Sequence, residues 1–442
     1  MKNNKLSLLL GLCLVVVTST AQEVLTKAEA INHVLDNNYG IKIAENNVEI
    51  SENNTSILNS GYLPTLSTNF GFDFSLQDRL AEVEGQEPID QTDLETRRYN
   101  SSLDLNYTLF DGLGRRYNFK QLKLQYNLSK LEARETIETT ITQMFTVYYE
   151  LARRLKNVEV LKNTLSLSRE RLKRVEYQFQ YGQINKLDVL NAEVDVANDS
   201  ISLINEQQNL FNIKRDLKVV LNEDDLDDNF KVDTTVRFLP ILKLEQHISE
   251  YKANNVSIQQ IEENLLISEY DKKISYSGYL PTVNLFGSYG WNRNISPESP
   301  FFPGSTQTTD GYSAGVNLTW NLFDGGQTSV RIQNAKIAYE NQQLQKEQIK
   351  QNVQRDIQNA FDNYKNRRYI YNLQRKNVET NKNNFKRTQE RFKLGQITSV
   401  EFRQAQLNLL NAQTSLNLAK YDAKLAELQL LQLTGQLLNI EF

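Results

Sequence analysis

Cysteine is almost absent from this 442-residue sequence, and the only one, Cys13, lies in a segment expected to be removed. A mature chain without cysteine has no disulfide, no thiolate metal site and no cysteine nucleophile. Histidine is nearly as scarce. His33 and His247 occupy corresponding places in two internal halves, apart from any acid cluster. A metal site needs several converging ligands, so both read as ordinary surface or core positions. There is no Gly-rich phosphate loop with its Lys and no nucleophile elbow, and Gly112-Leu113-Gly114 lacks the rest of a dinucleotide fingerprint. No enzymatic chemistry and no cofactor is expected, so energy must come from a partner. A dominant charge is missing too: 50 Lys and Arg stand against 54 Asp and Glu. That balance leaves no electrostatic footprint for nucleic acid.

Long apolar runs are also lacking. The one near the amino terminus, residues 6–17, follows Lys2 and Lys5 and is too short to cross a bilayer. With Ser19 and Ala21 at the minus-three and minus-one positions it reads as a signal peptide, residues 1–21, cleaved after Ala21. Leu12 precedes Cys13 where a lipoprotein signal needs Gly or Ala.

Gly and Pro are confined to a few places, and what lies between them organises the chain. Residues 115–181 contain neither, and Gly182 follows; residues 327–394 contain neither, and Gly395 follows. Gly and Pro cost a helix interior about 1 and 3 kcal/mol relative to Ala, so each stretch predicts one uninterrupted helix. At about 1.5 Å per residue each would reach roughly 100 Å.

The chain is written twice. Gly61-Tyr62-Leu63-Pro64-Thr65 returns as Gly278-Tyr279-Leu280-Pro281-Thr282 at an offset of 217. Leu109-Phe110-Asp111-Gly112 returns as Leu322-Phe323-Asp324-Gly325, and Gly182-Gln183-Ile184 as Gly395-Gln396-Ile397, both at 213. Each half carries a helical stretch (27–59, 242–276), a Gly-Tyr-Leu-Pro breaker, two strands around a polar loop, the Leu-Phe-Asp-Gly turn, the long helix, a Gly tip and a returning helix (186–221, 399–433). The first repeat is then 22–221 and the second 242–442. Residues 222–241, with Glu223, Asp224, Asp225, Asp227 and Asp228, read as a solvated linker.

The strands are expected at about 65–76, 99–109, 282–291 and 312–322. In the first, Leu66, Phe70, Phe72, Phe74 and Leu76 share one face and Ser67, Asn69, Gly71, Asp73 and Ser75 the other. The third breaks this rule once: Phe286 falls on its polar side, beside Asn284 and Ser288. Spanning length and both Trp on the apolar face match transmembrane barrel strands. A half-buried antiparallel sheet of a soluble domain shows the same alternation. Four strands cannot close a barrel, so the membrane reading requires copies: a trimer supplies twelve strands, a dimer eight. The loops 77–97 and 292–311, with Pro88, Pro297, Pro300 and Pro303, would then lie outside the cell.

Each tip carries its own punctuation. Gly182 and Gly395 suit the left-handed residue that ends a helix. Asn185 and Thr398 read as N-caps, followed three residues later by Asp188 and Glu401, a capping-box spacing that is strict only in the second. Ile184 with Val189, and Ile397 with Phe402, have the spacing of hydrophobic staples.

The doubled plan, both Gly-Tyr-Leu-Pro-Thr and Leu-Phe-Asp-Gly motifs, and the tip patterns YGQINKLDVLNAE and LGQITSVEFRQAQ together resemble the TolC-like outer membrane efflux proteins over essentially the whole mature chain. The resemblance implies a mainly α fold with a membrane β-barrel portion: a homotrimeric twelve-stranded barrel in outer-membrane lipid, continued by an α-helical barrel through the periplasm. It also implies a periplasmic adaptor, docking at the tips Gly182, Gln183, Gly395 and Gln396, and an inner-membrane transporter. The turns between barrel and helices would be Pro64, Phe110, Asp111 and Gly112, and Pro281, Phe323, Asp324 and Gly325. Asp188 and Glu401 stand where family members carry acids at the periplasmic entrance. Three copies of Glu401 near the axis would raise their own pKa and favour cations. Phe392 and Ile397 stand where a gate tyrosine and arginine make polar links, which neither can make, and Gln404 replaces an acid of the entrance ring. Apolar contacts are the expected substitute. The competing readings are capping alone for Asp188 and Glu401, a periplasmic coiled-coil scaffold or adaptor with a soluble sheet, and a channel for protein secretion. Cargo choice is expected to reside in the pump.

Overall fold

The computed structural model describes residues 24–82, 84–85, 87–223, 230–298 and 303–440. The signal peptide with Cys13, the linker acids Asp224, Asp225, Asp227 and Asp228, and Pro300 lie outside the described residues. In chain order the first half holds β1 (Val24–Leu25), α1 (Lys27–Asn37), α2 (Tyr39–Asn54), β2 (Thr65–Ala81), β3 (Ile89–Asp111), α3 (Gly114–Gln180) and α4 (Lys186–Leu221). The second holds β4 (Lys231–Val232), α5 (Ile241–Ser249), α6 (Tyr251–Asn254), α7 (Val256–Tyr276), β5 (Thr282–Ser296), β6 (Ser305–Thr319), α8 (Gln327–Lys393) and α9 (Ser399–Leu433). Both long helices, α3 and α8, are 67 residues.

The chain divides into two compact units, one of the residues up to Ile41, Ile137–Ile248 and those from Gln358 on, the other Lys42–Thr136 and Ser249–Ile357. In the second unit four antiparallel strands form one sheet in the order β2-β3-β5-β6. The hairpins outrun the alternation seen in the sequence. Residues 77–97, expected as a loop, pair as far as Ala81 opposite Ile89, and the second hairpin continues to Ser296 opposite Ser305. Alternation reports where one face meets an apolar surrounding, whereas the backbone ladder needs only N–H and C=O groups. At its other end β6 stops at Thr319, short of the expected Leu322, because its partner Thr282 is preceded by Pro281, which has no N–H to give.

The two Leu-Phe-Asp-Gly motifs therefore begin differently and then converge. Phe110 and Asp111 still pair with β5, whereas Phe323 lies past the strand, 87% exposed. After each, the Asp carboxylate accepts from the N–H four residues on: Asp111 from Arg115 at 2.7 Å and Asp324 from Thr328 at 2.9 Å. The Thr328 bonds hold the Asp324 carboxyl below its usual range.

In the first unit Phe145, Tyr148, Tyr149 and Leu151 of α3 and Tyr421, Leu428 and Leu431 of α9 are buried, and the Tyr149 ring meets that of Tyr421 at 5.8 Å between centroids. The Tyr148 hydroxyl donates to Leu25 O at 2.8 Å and accepts from Asp233 N–H at 3.0 Å. Residues 222–241 are more than a solvated linker. β4 pairs in parallel with β1, and Phe230 and Val232 are buried. His33, expected apart from any acid cluster, has its Nδ1 3.2 Å from Glu223, the first of the linker acids. The helical stretch 27–59 is broken at Asn38, whose side chain accepts from Gly40 N–H at 2.9 Å and so starts α2 afresh.

Gly112 has φ +68, and a Cβ there would lie 2.7 Å from Ser277 O; Gly325 has φ +70 with open space around it. Gly112→Ala is expected to cost about 1–3 kcal/mol from backbone strain plus the steric clash, and Gly325→Ala the strain alone. Thermal unfolding of the purified protein should show the larger drop for Gly112→Ala.

Candidate functional site

The residues expected at the entrance and docking surface lie at or near the two helical tips, in the first unit, whereas the expected turns between strands and helices lie in the second. Helix α3 ends where Gly182 takes φ +71, with Gly182 N–H donating to Phe179 O at 2.9 Å and Gln183 N–H to Gln178 O at 2.8 Å. Helix α8 ends alike: Gly395 takes φ +72, its N–H donates to Phe392 O at 3.0 Å, and Gln396 N–H to Arg391 O at 2.9 Å. This is the doubled bond of the Schellman ending, which satisfies carbonyls that a helix end leaves open.

The returning helices start with unequal caps. Asn185 Oδ1 accepts from Asp188 N–H at 3.1 Å. In the second hairpin Thr398 Oγ1 accepts from Glu401 N–H at 3.2 Å, while Glu401 Oε2 accepts from the Thr398 N–H at 2.8 Å and hydroxyl at 3.0 Å. Of these two boxes the second is complete and the first is not, since an Asp side chain is one methylene shorter than Glu. The Glu401 carboxyl is held below its usual range, first by the Thr398 backbone bond and then by its hydroxyl. Within one chain this is opposite to the elevation expected from like charges.

A cavity of about 480 Å³ opens beside the caps, lined by Asp188, Glu401, Phe392, Gln183, Gly395 and Gln396 among others. Gly182 and Gln404 are not among its lining residues. Gln404 Nε2 instead donates along α9 to Asn408 Oδ1 at 2.9 Å. Val175, Ile184, Phe392 and Ile397 of the cavity wall belong to or pack against an apolar cluster. Phe392 is buried and stacks on Phe402 at 4.7 Å between ring centroids; Phe402 meets Phe385 at 5.4 Å. Val175, Val189, Ala192 and Ala405 complete the cluster, with Ile184 and Ile397 packed against it as the staple spacing requires. The Arg174 guanidinium lies 5.7 Å from the Phe392 ring centre and donates to Lys393 O.

Next to this cluster stands a charged network that sequence reasoning missed. Arg403 of α9 grips Asp199 of α4 with both Nη atoms at 2.8 Å, and its Nε lies 3.3 Å from Asp195. Arg171 of α3 pairs with Asp195 and donates to Ser399 O at 3.3 Å. Ser168 donates to Asp199 at 2.5 Å, and Gln406 Nε2 donates to Thr164 O at 2.9 Å and Ser168 Oγ at 2.8 Å. These bonds tie α3 and α4 of the first repeat to α9 of the second. Its only trace in the sequence is the spacing of Asp195 and Asp199, four apart on one helix face.

A duplicated strand hairpin, feeding a breaker-free helix that ends at a capped glycine tip, is the architecture of outer-membrane channel proteins. The family described as Outer membrane efflux protein matches residues 30–223 and 247–436, and the chain belongs to it. It is similar to the outer membrane efflux protein BepC of Brucella suis, 22% identical over 424 residues, 96% of this chain and 88% of BepC. The outer membrane protein TolC of Vibrio cholerae is 23% identical over 305 residues, 68% of this chain and 69% of TolC. Among solved structures, the Campylobacter jejuni CmeC outer membrane channel matches 93% of this chain and 86% of its own, with a TM-score of 0.75 at 18% identity.

Arg403→Ala would leave Asp199, only 6% exposed, without its cation. Removing one partner of a buried pair costs about 3–5 kcal/mol. Chemical unfolding should show a loss of that size, and adding Asp199→Ala should recover part of it.

Proposed function

We propose that the protein is the outer-membrane exit duct of a tripartite efflux or secretion system, passing substrates from the periplasm or an inner-membrane pump to the exterior. The observation that carries this is the apolar face of the sheet, which nothing among the described residues covers. Phe70 is 80% exposed and Tyr312 88%, with Leu66, Phe72, Phe74, Val316 and Leu318 exposed beside them. An apolar patch of that extent in water would drive association, and lipid is the surrounding it suits. The first and last strands of the sheet, β2 and β6, leave open edges, which lipid does not tolerate. Three copies would supply twelve strands and remove them, in keeping with the family. Helices play no part in spanning: among the described residues, none is long and apolar enough.

The tips are read as the periplasmic entrance and its docking surface. Gly182 and Gly395 have nothing within 4 Å of an added Cβ, so both are open to the hairpin of an adaptor protein bound to an inner-membrane transporter. Asp188 and Glu401 are read as entrance acids, with Glu401 also serving as a cap, and the Phe392–Phe402 stack is read as holding the entrance shut.

Fractionation tests the duct. A heat-modifiable trimer in the outer membrane, conducting in planar bilayers, is the expected result; a monomer extracted by carbonate would overturn it in favour of a soluble scaffold. Glu401 tests the entrance. Within one chain the Thr398 bonds lower its carboxyl pKa, and like charges from three copies near the axis would act in the opposite sense. Cation preference should fade as the pH drops through that carboxyl's pKa, and Glu401→Gln should lack this step without losing the trimer. Unchanged preference with lower thermal stability would leave only the cap.

A further inference from the structure

The aromatic that breaks the polar alternation of the third strand has a defined place. Cross-strand pairing puts Phe286 between Asn106 of β3 and Gly315 of β6, on the polar face of the sheet. Its ring lies over Gly315, where an added Cβ would come within 2.8 Å of the ring carbon Cζ. One row away, Asp104 sits between Ser67 and Ser288 on the same face. Asn69 Nδ2 at 3.0 Å, Ser102 Oγ at 2.7 Å and Ser288 Oγ at 2.7 Å all donate to its carboxylate. Those donors are neutral, so they fix the carboxylate in place without cancelling its charge.

The rest of this face makes the pair distinctive. From Thr65 to Asp73 on β2, and at the residues paired across β3, β5 and β6, the side chains are Ser, Thr, Asn, Gln and Gly, apart from Phe286, Asp104 and the directly opposed Asp73 and Arg98. The face thus carries one aromatic ring and one carboxylate with no cation opposite it. They stand on adjacent strands at a diagonal separation of roughly 7–8 Å.

We propose that Asp104 and Phe286 form a contact point for amphipathic organic cations, the carboxylate meeting the charge and the ring meeting the apolar or aromatic body. A cation close to an aromatic face and a fixed carboxylate gains from both. Gly315 belongs to the same device, because any side chain there would displace the ring. The proposal rests on the exit-duct reading, which makes this polar face the wall of the lumen.

The test is block of the purified full-length channel in planar bilayers by tetraphenylphosphonium. The wild type should be blocked in a concentration-dependent way. Asp104→Asn and Phe286→Ser should each raise the half-blocking concentration by roughly threefold to tenfold. Phe286→Tyr, which keeps the ring, should hold the wild-type value, and tetraphenylborate, of the same shape and opposite charge, should not block. Equal half-blocking concentrations in the wild type, Asp104→Asn and Phe286→Ser would overturn the site while leaving the duct intact. A wild-type protein that forms no conducting pore would overturn the duct and the site together.

Discussion

A backbone N–H or C=O group cannot stay unpaired in hydrocarbon, where each costs several kcal/mol. The sheet of this chain satisfies that constraint internally along β3 and β5 and leaves it open along β2 and β6. The exposed apolar face and the need for further copies both follow from it. So does the arrangement of each hairpin, in which apolar side chains serve the outer surroundings and polar ones are free to serve whatever passes the other face. Pro281 matters in the same way, because by withholding one N–H it sets where the ladder ends and where the chain must turn toward α8.

The tips obey a different economy. A helix end leaves carbonyls and amides open, and here they are closed by glycines at positive φ, by Asn185 and Thr398, and by Glu401 reaching back to its cap. Local bonds define the shape of each hairpin. What joins the two hairpins is the apolar cluster of Val175, Val189 and Ala192 with Phe392 and Phe402, and the grip of Arg403 on Asp199. Apolar packing has broad tolerance for sliding, whereas a bidentate guanidinium contact does not. The charged network therefore sets the register of one hairpin on the other, and the apolar cluster fills the space that remains. Glu401, as a helix cap, has its carboxyl pKa lowered by the Thr398 backbone and hydroxyl bonds.

Much of this was legible in the residues. The repeat, the long helices, the glycine endings, the caps and staples and the alternating strands all depend on interactions within a few residues or on a simple period. The limits of the strands were not, since polar residues such as Arg79 and Asp90 extend a ladder as well as apolar ones do. Residues 230–232 look like linker, yet β4 finds its partner in β1, more than two hundred residues earlier. Phe286 was visible as an exception to the pattern, but not as a ring laid over Gly315.

By itself, then, the sequence determined where the long and returning helices start and stop, which strand face is apolar, and that the plan is doubled. Only the tertiary structure decided that Arg403 meets Asp199 across 204 residues, that Phe392 lies on Phe402, and that Asp104 and Phe286 share one face of the sheet. The reason is physical. A charged residue on a helix is solvated in most settings and an aromatic is equally at home in many cores, so neither type names its partner. That choice is made by the packing that brings distant segments within a few ångströms of each other.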